Sequence, residues 1–331
     1  MEQRKNQHLQ FALQFHQEEN PDWDRVFLPI TSFPEAALSE IDISTQIMGL
    51  DLACPFFINA MTGGSLKAEK LNRQLAILAR ECRLMLATGS YSIALKEPAA
   101  KRSFAVIREE APDIIVGVNL GADKTADLAV RAVEEMGADF LQIHVNPLQE
   151  MIMPEGERNF RGWIANIQAI RERVEVPVMV KQVGFGMSAA DIEKLMATGI
   201  TTIDISGGGG TNFAQIENAR REKGWQYLQT LDISTVDSLQ NSRFYQSKAE
   251  IIASGGIKNP LHIAKALAMG AKAVGIAGQI LFLLEKEGLN RTMAIVREWQ
   301  EELKLLYLAC GAKSTTEMNG IDTKIMEKYR K

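Results

Sequence analysis

The sequence predicts a (β/α)8 barrel, and three observations carry that prediction. Short apolar or β-branched runs recur eight times, at Phe56–Asn59, Leu84–Thr88, Ile114–Val118, Phe140–Val145, Val178–Gln182, Thr202–Ile205, Glu250–Ala253 and Ala273–Ile276. Segments of helical period separate them, and steady strand–helix alternation calls for a parallel sheet. Glycine turns follow the last two runs, at Ser254-Gly255-Gly256 and Ala277-Gly278, where such barrels build phosphate sites. An open doubly wound sheet is the competitor. The even repeat, with no GxGxxG after the first run, favours closure.

In chain order, residues 1–50 form a polar N-terminal extension outside the repeat. Helical period then marks 68–83, 124–137, 162–174, 189–199 and 260–270. Asp191 and Glu193 stand early in one of these helices and Gly199 follows it, while Pro260 opens another and Gly270 closes it. From about Asn290 the tail reads as amphipathic helix, IVREWQEELKLLYLACG, stopped at Gly311. The expected organisation is one barrel domain over 1–331, with 290–331 as a helical tail packed on the barrel or on another subunit.

A 46% hydrophobic and 24% charged composition is that of a globular chain with a sizeable core. A net charge of −4 argues against nucleic acid and anionic membrane as general partners, but it leaves room for a local basic pocket. Cys54, Cys82 and Cys310 show no CxxC or Cys/His metal spacing, and the polar N-terminus holds no apolar core of a signal segment. A reduced, cytoplasmic setting is expected.

Catalytic groups in such a barrel sit at the C-terminal ends of the strands. The fourth run turns Gln142, His144 and Asn146 to one face, where a buried parallel strand is ordinarily apolar on both. A lone histidine there is commonly a satisfied core group, but three polar groups in one row point to a ligand. Gln149 and Glu150 follow directly; Glu150 is either a surface carboxylate or a Mg²⁺ ligand. Lys181 ends an apolar run and either snorkels to solvent or faces an anion. The run Gly207–Gly210 before Thr211 reads as a mobile loop or as backbone held close to a ligand. Arg4, Lys5 and His8 read, on their own, as a solvated basic cluster.

Taken together, these segments resemble the type 2, FMN-dependent isopentenyl-diphosphate Δ-isomerases. The matching stretches are Arg4-Lys5…His8, INAMTGGS at 58–65, TGSYS at 88–92, QIHVNPLQE at 142–150, MPEGERNF at 153–160, VKQVGFGMS at 180–188, DISGGGGTNF at 204–213 and ASGGIKNPL at 253–261. The resemblance implies FMN contacts at Met61, Thr62, Gly63, Ser90, Asn119, Lys181, Ser206 and Thr211. It puts the FMN phosphate against Gly255, Gly256, Ala277 and Gly278. The substrate diphosphate would meet Arg4, Lys5, His8 and His144, with Asn146 beside it, Gln149 at the allylic part and Mg²⁺ on Glu150. NADPH or NADH as reductant and a homo-oligomer, tetramer or octamer, are implied as well.

Three positions depart from the family pattern. Gln182 stands where Glu is usual, Leu231-Asp232 where a Trp-Gly pair is common, and Ala277-Gly278 where the eighth strand usually ends in Ser-Arg.

Moving the double bond of isopentenyl diphosphate to give dimethylallyl diphosphate needs a proton delivered to an alkene and another removed. No cysteine ends a strand and Gln149 is an amide, so the proton chemistry is expected to fall to reduced FMN, with the protein supplying position and a dry pocket. The main alternative is an FMN-dependent oxidoreductase on the same barrel. A sugar-phosphate enzyme using Lys181 as a Schiff base is a more distant one.

Overall fold

Buried strands that carry apolar residues on both faces can only form a sheet covered on both sides. The computed structural model, which describes residues 2–326, has such a sheet rolled into a closed barrel. Its strands are β1 (Phe56–Ile58), β2 (Leu86–Ser90), β3 (Val116–Gly121), β4 (Phe140–Val145), β5 (Val178–Gln182), β6 (Thr202–Asp204), β7 (Glu250–Ser254) and β8 (Ala273–Ile276). Closure comes from the parallel pairing of β8 with β1, Val274 opposite Phe56 and Ile276 opposite Ile58. Every residue of β3 is buried, so the barrel interior is a packed core whose chemistry is confined to its mouth.

The helices end where their capping residues dictate. Ser65 accepts a hydrogen bond from Ala68 N–H to start the helix Leu66–Cys82, and Gly137 in the left-handed region ends Ala126–Met136. Ser188 and Asp191 form a reciprocal capping box on Ala189–Met196, and Asn259 caps Pro260–Ala268. The tail begins near the expected Asn290 and ends at Gly311. Helix runs from Gly278 to Cys310 but is broken at Gly288, whose φ of 75° and ψ of 169° no helix contains. The piece before the break is the eighth barrel helix and the piece after it is the tail. The tail packs on the chain's own barrel, with Trp299 edge-on to Phe56 and Gln300 donating to the carbonyl of Cys82.

The N-terminal extension wraps both ends of the barrel. A hairpin, Thr45–Ile47 with Leu50–Leu52, buries Ile47 and Leu52 against Phe57, Phe140 and Met179 under the barrel floor. A helix over Glu2–Gln14, which its polar composition hid, lies across the mouth. Val26–Phe27 pairs antiparallel with Lys324–Ile325, tying the extension to the tail. No helix among the described residues is long and apolar enough to cross a membrane.

Candidate active site

The C-terminal ends of the strands, the loops that follow them and the leader helix enclose a cavity of about 580 Å³, within the range of small-ligand sites. Of the residues named from the sequence, Met61, Thr62, Ser90, Asn119, Lys181, Ser206 and Thr211 line it, as do Gly255, Gly256, Ala277 and Gly278. Arg4, Lys5 and His8 from the leader helix line it too, together with His144, Asn146, Gln149 and Glu150. Gly63 does not: a Cβ there would fall within about 2.0 Å of the Phe104 ring, so this glycine serves helix packing rather than the cavity wall.

One pole of the cavity is backbone. The loops after β6 and β7 run against each other so closely that a Cβ on Gly210 would lie 2.6 Å from Gly256 N, and one on Gly255 would lie 2.0 Å from the carbonyl oxygen of Gly207. Gly255 and Gly256 both hold positive φ, at 98° and 70°. The extension locks this turn from outside. Trp23, fully buried, and Asn20 both donate to the Gly256 carbonyl, at 3.2 and 3.1 Å. Lys258, which the sequence reading passed over, is buried beside the turn and lines the cavity, and burial brings its ammonium down to about 8. Its only sequence signal is its place just after the glycine pair.

Lys181 rises from β5 into this pole. Its Nζ donates to Ser206 Oγ at 2.8 Å and to the Gln182 carbonyl at 2.7 Å, and it lies 3.6 Å from Asp204 Oδ2. Burial lowers its pKa, and the Asp204 carboxylate opposes the shift. Asp204 is a partner that an apolar-looking β6 concealed. It is fully buried and also accepts from Asn59 Nδ2 and Ser254 Oγ, at 2.8 and 2.6 Å. Ser206 itself holds φ at 29°, a strained conformation for a side-chain-bearing residue.

The opposite pole is charged and roofed by the leader helix. Burial, then the neighbouring Arg4 guanidinium, lowers the Lys5 ammonium to about 8. Burial likewise holds His144 down to about 4 and keeps His8 below its usual value, although Glu217 favours the charged His8 ring. Glu217 was not anticipated. It lies on the short helix Phe213–Ala219 after the glycine run, its side chain fully buried. His8 Nε2 lies 2.8 Å from it, Arg220 is ion-paired to it, and Gln149 Nε2 donates to it at 3.3 Å. Burial alone would raise the Glu217 carboxyl, but His8 and Arg220 outweigh that and hold it low. Gln149 is thereby oriented at both ends, because its Oε1 accepts from Asn146 Nδ2 at 3.1 Å. Glu150 sits half-buried at the rim, accepting from Asn146 Nδ2 at 3.0 Å and from Glu157 N–H at 2.9 Å.

Among the described residues, Thr62 Oγ1 in the loop after β1 and Arg4 Nε in the roof are buried on the cavity wall with neither a hydrogen bond nor an ion pair, unlike His8 Nε2, which has Glu217. Orphaned groups of this kind cost stability unless a ligand satisfies them. One stands at each pole, as a ligand with two polar regions or a pair of ligands would require. Among the described residues no cluster of three or more His, Cys, Asp or Glu could hold a metal alone. A divalent ion on Glu150 would therefore depend on ligand oxygens.

Of the three departures from the family pattern, Ala277-Gly278 lies on the cavity wall and the other two lie off it. Neither Leu231 nor Asp232 lines the cavity, and Leu231 is exposed. Gln182 turns its Oε1 back to accept from the backbone N–H groups of Val183 and Phe185, pinning the turn after β5. The three cysteines are free, buried and outside the cavity, and burial raises Cys54 and Cys82 to about 11.

A parallel barrel with a glycine cradle at its β6–β8 end, a buried lysine beside it and a cationic roof is the architecture of an enzyme that holds a phosphate-bearing cofactor under an anionic substrate. Consistent with this, the family described as FMN-dependent dehydrogenase matches residues 147–323, more than half of the chain. Within it, the chain belongs to the isopentenyl-diphosphate delta-isomerases of type 2. It is 46% identical over 317 residues to the isopentenyl-diphosphate delta-isomerase of Latilactobacillus sakei, covering 95% of this chain and 90% of that protein. The one from Staphylococcus haemolyticus is 42% identical over 318 residues, covering 96% and 91%. Among solved structures, a mandelate oxidase variant carrying a monooxide FMN adduct superposes with a TM-score of 0.68 at 16% identity, over 95% of this chain and 92% of that one. A flavocytochrome b2 variant gives 0.69 at 18% identity, over 96% and 82%. At these identities the structures speak for the fold alone.

The cradle carries its own prediction. Gly255→Ala would set a methyl group against the Gly207 carbonyl at a φ that alanine resists. FMN affinity is expected to fall by about 10²-fold or more, since clash and strain of this kind cost about 1–3 kcal/mol each. Fluorescence titration of the apoprotein with FMN measures it, and near-native affinity would mean that the cradle adapts.

Proposed function

We propose that this protein interconverts isopentenyl and dimethylallyl diphosphate, with reduced FMN at the glycine pole, Mg²⁺ on Glu150, and NADPH or NADH as reductant. The observation that carries the reading is the two-pole cavity, with Thr62 Oγ1 orphaned at one pole and Arg4 Nε at the other. The backbone of Gly210, Gly255 and Gly256, with Gly278 and Lys258, would hold the FMN phosphate. Met61, Thr62, Ser90, Asn119, Lys181, Ser206 and Thr211 would hold the rest of the cofactor. When bound and reduced, FMN supplies the acid–base group and an electron-rich face for the cationic character that protonating an alkene creates.

The chain's own residues bind, orient and exclude water. Arg4, Lys5, His8 and His144 present cationic and hydrogen-bonding groups to a diphosphate, and Glu150 presents a carboxylate to its metal. Gln149, fixed between Asn146 and Glu217, positions the reacting end. The leader helix closes the mouth above them and keeps the pocket dry. A cytoplasmic homo-oligomer, tetramer or octamer, completes the proposal, and sedimentation of the purified protein tests the assembly.

The reaction is tested by incubating isopentenyl diphosphate anaerobically with the protein, FMN, Mg²⁺ and NADPH. Dimethylallyl diphosphate should form with only catalytic use of NADPH. No product would overturn the reading, and stoichiometric NADPH consumption would favour an oxidoreductase. The roof adds a pH dependence. Burial and the Arg4 guanidinium bring Lys5 in the roof down to about 8, so it is mainly cationic at neutral pH and loses charge as pH rises through 8. In the profile of kcat/KM, which reports the free enzyme, activity should fall on that alkaline limb by about 10-fold or more, the worth of one charge-assisted contact. Lys5→Arg, whose guanidinium does not titrate there, should move the limb upward. An unmoved limb would show that Lys5 does not set it.

A further inference from the structure

A row of buried amides crosses the barrel interior from Asp204 to His144, and the Asp204 carboxylate together with one backbone N–H fixes the direction of every hydrogen bond in it. All four contacts of Asp204 are donors. Ser254 Oγ at 2.6 Å and Ser206 N–H at 3.0 Å reach Oδ1, while Asn59 Nδ2 at 2.8 Å and Lys181 Nζ at 3.6 Å reach Oδ2. Asn59 therefore spends its NH2 group on a carboxylate. Its Oδ1 accepts from the backbone N–H of Ala60 at 2.9 Å, a group that can only donate. Partners of opposite kind leave this amide one orientation. The same oxygen takes Gln142 Nε2 at 3.0 Å, which turns Gln142 Oε1 outward to accept from Asn119 Nδ2 at 2.8 Å. Asn119 is left with its oxygen, which meets His144 Nδ1 at 2.7 Å. An amide oxygen carries no proton, so that contact is a hydrogen bond only if Nδ1 bears one.

We propose that Asp204 is a positioning residue for His144, holding the imidazole in its Nδ1–H form through Asn59, Gln142 and Asn119 and leaving Nε2 as a bare acceptor at the cavity. Nε2 has no partner among the described residues, and His144 lines the cavity wall. Burial keeps the ring neutral. Of the charged groups that face it, Asp123 favours the imidazolium, while Lys5 from the leader helix, Lys124 from the loop after β3 and Lys181 from β5 oppose it. One consequence rests on the function proposed above: a bare Nε2 and a phosphate oxygen are both acceptors, so they meet only with a proton between them, and diphosphate binding takes that proton up. The tautomer itself depends on no ligand.

The test is ¹⁵N NMR of the FMN-saturated full chain labelled at histidine. There are four histidines, and His144→Asn identifies the resonances of His144 by their loss. At neutral pH its Nδ1 should resonate as a protonated nitrogen and its Nε2 as an unprotonated one. Asp204→Asn can turn an NH2 group toward Asn59 while the Ala60 N–H still asks for the Asn59 oxygen, so the two constraints conflict and a measurable Nε2–H fraction should appear. An Asp204→Asn chain that folds and keeps a single Nδ1–H form would overturn the role of Asp204, because Ala60 alone would then set the row. Gln142→Met cuts the row at its middle with little change in volume and should give a mixture of the two forms. A wild-type Nε2–H form would overturn the proposal. So would a Gln142→Met chain that keeps a single Nδ1–H form, because Asn119 alone would then suffice. Should Asp204→Asn not fold, Gln142→Met decides. Absence of isomerase activity would leave these resonances unaffected, so the two failures are distinguishable.

Discussion

Gln149→Leu is expected to lower kcat by about 10²–10³-fold, the size of effect seen when one oriented polar group is removed from a reacting centre, while FMN affinity stays near that of the parent. The side chain is 8% exposed and its amide is held at both ends. Leucine keeps the volume but cannot accept from Asn146 or donate to Glu217. Glu217 retains His8 and Arg220, so the carboxylate stays paired and the fold should persist. The cost falls instead on the reacting end, because the oriented amide beside it is gone. The glycine cradle and Lys181 are untouched, which is why the flavin should remain. Single-turnover rates and FMN titration on one preparation separate the effects. A variant that loses flavin yet turns over normally once saturated would place Gln149 at the cofactor instead. Glu217→Gln is a harsher companion, since Arg220 and His8 would lose their buried carboxylate; Arg220 keeps Glu155 at 2.6 Å, so the loss of stability should fall below the roughly 3–5 kcal/mol of a fully stranded charge.

The contrast between Gln149 and Glu217 shows what the sequence could and could not disclose. Barrel strands declare themselves by apolar runs of fixed length between helical segments, and seven of the eight predicted runs end within two residues of the observed strands, the third stopping three residues short of Gly121 because the polar Asn119 interrupts its apolar run. Gln149 and Glu150 were legible because they follow a strand whose inward row is polar, against the rule for parallel sheets. Glu217 was not, because it sits in a helix where a charged residue ordinarily faces water, and its partners include His8 of the leader helix and Gln149 after β4, both far away in sequence. The leader helix was itself concealed by a polar composition suited to a roof over a charged cavity. Asp204 was hidden for a different reason. One carboxylate at the end of an apolar run looks like a surface end, and its partners Lys181, Asn59 and Ser254 lie 23, 145 and 50 residues away in sequence, brought together only by barrel closure.

Lys181→Met is expected to act on the cofactor rather than on the substrate. Lys181 is the cation paired with fully buried Asp204, and its Nζ also holds Ser206 Oγ at the strained turn after β6. Methionine fills much the same space without charge. Asp204 keeps three donors from Asn59, Ser254 and Ser206, so the loss of stability should fall below the roughly 3–5 kcal/mol of a fully stranded charge. With the flavin seated as proposed, its reduction would place negative charge at this pole, where a buried cation favours it. Without that cation the FMN midpoint potential should drop by about 30–60 mV, or ten- to a hundredfold in a two-electron equilibrium. Spectroelectrochemical titration of the holoprotein measures the shift, and an unchanged potential would place the ammonium away from the flavin ring. Lys181→Arg separates charge from shape. A guanidinium keeps the pairing with Asp204 but needs more room than an ammonium at 3.6 Å. If charge governs the potential, this variant should hold it near that of the parent while weakening FMN binding. If both variants lower the potential alike, the controlling property is the geometry of the hydrogen bond to Ser206.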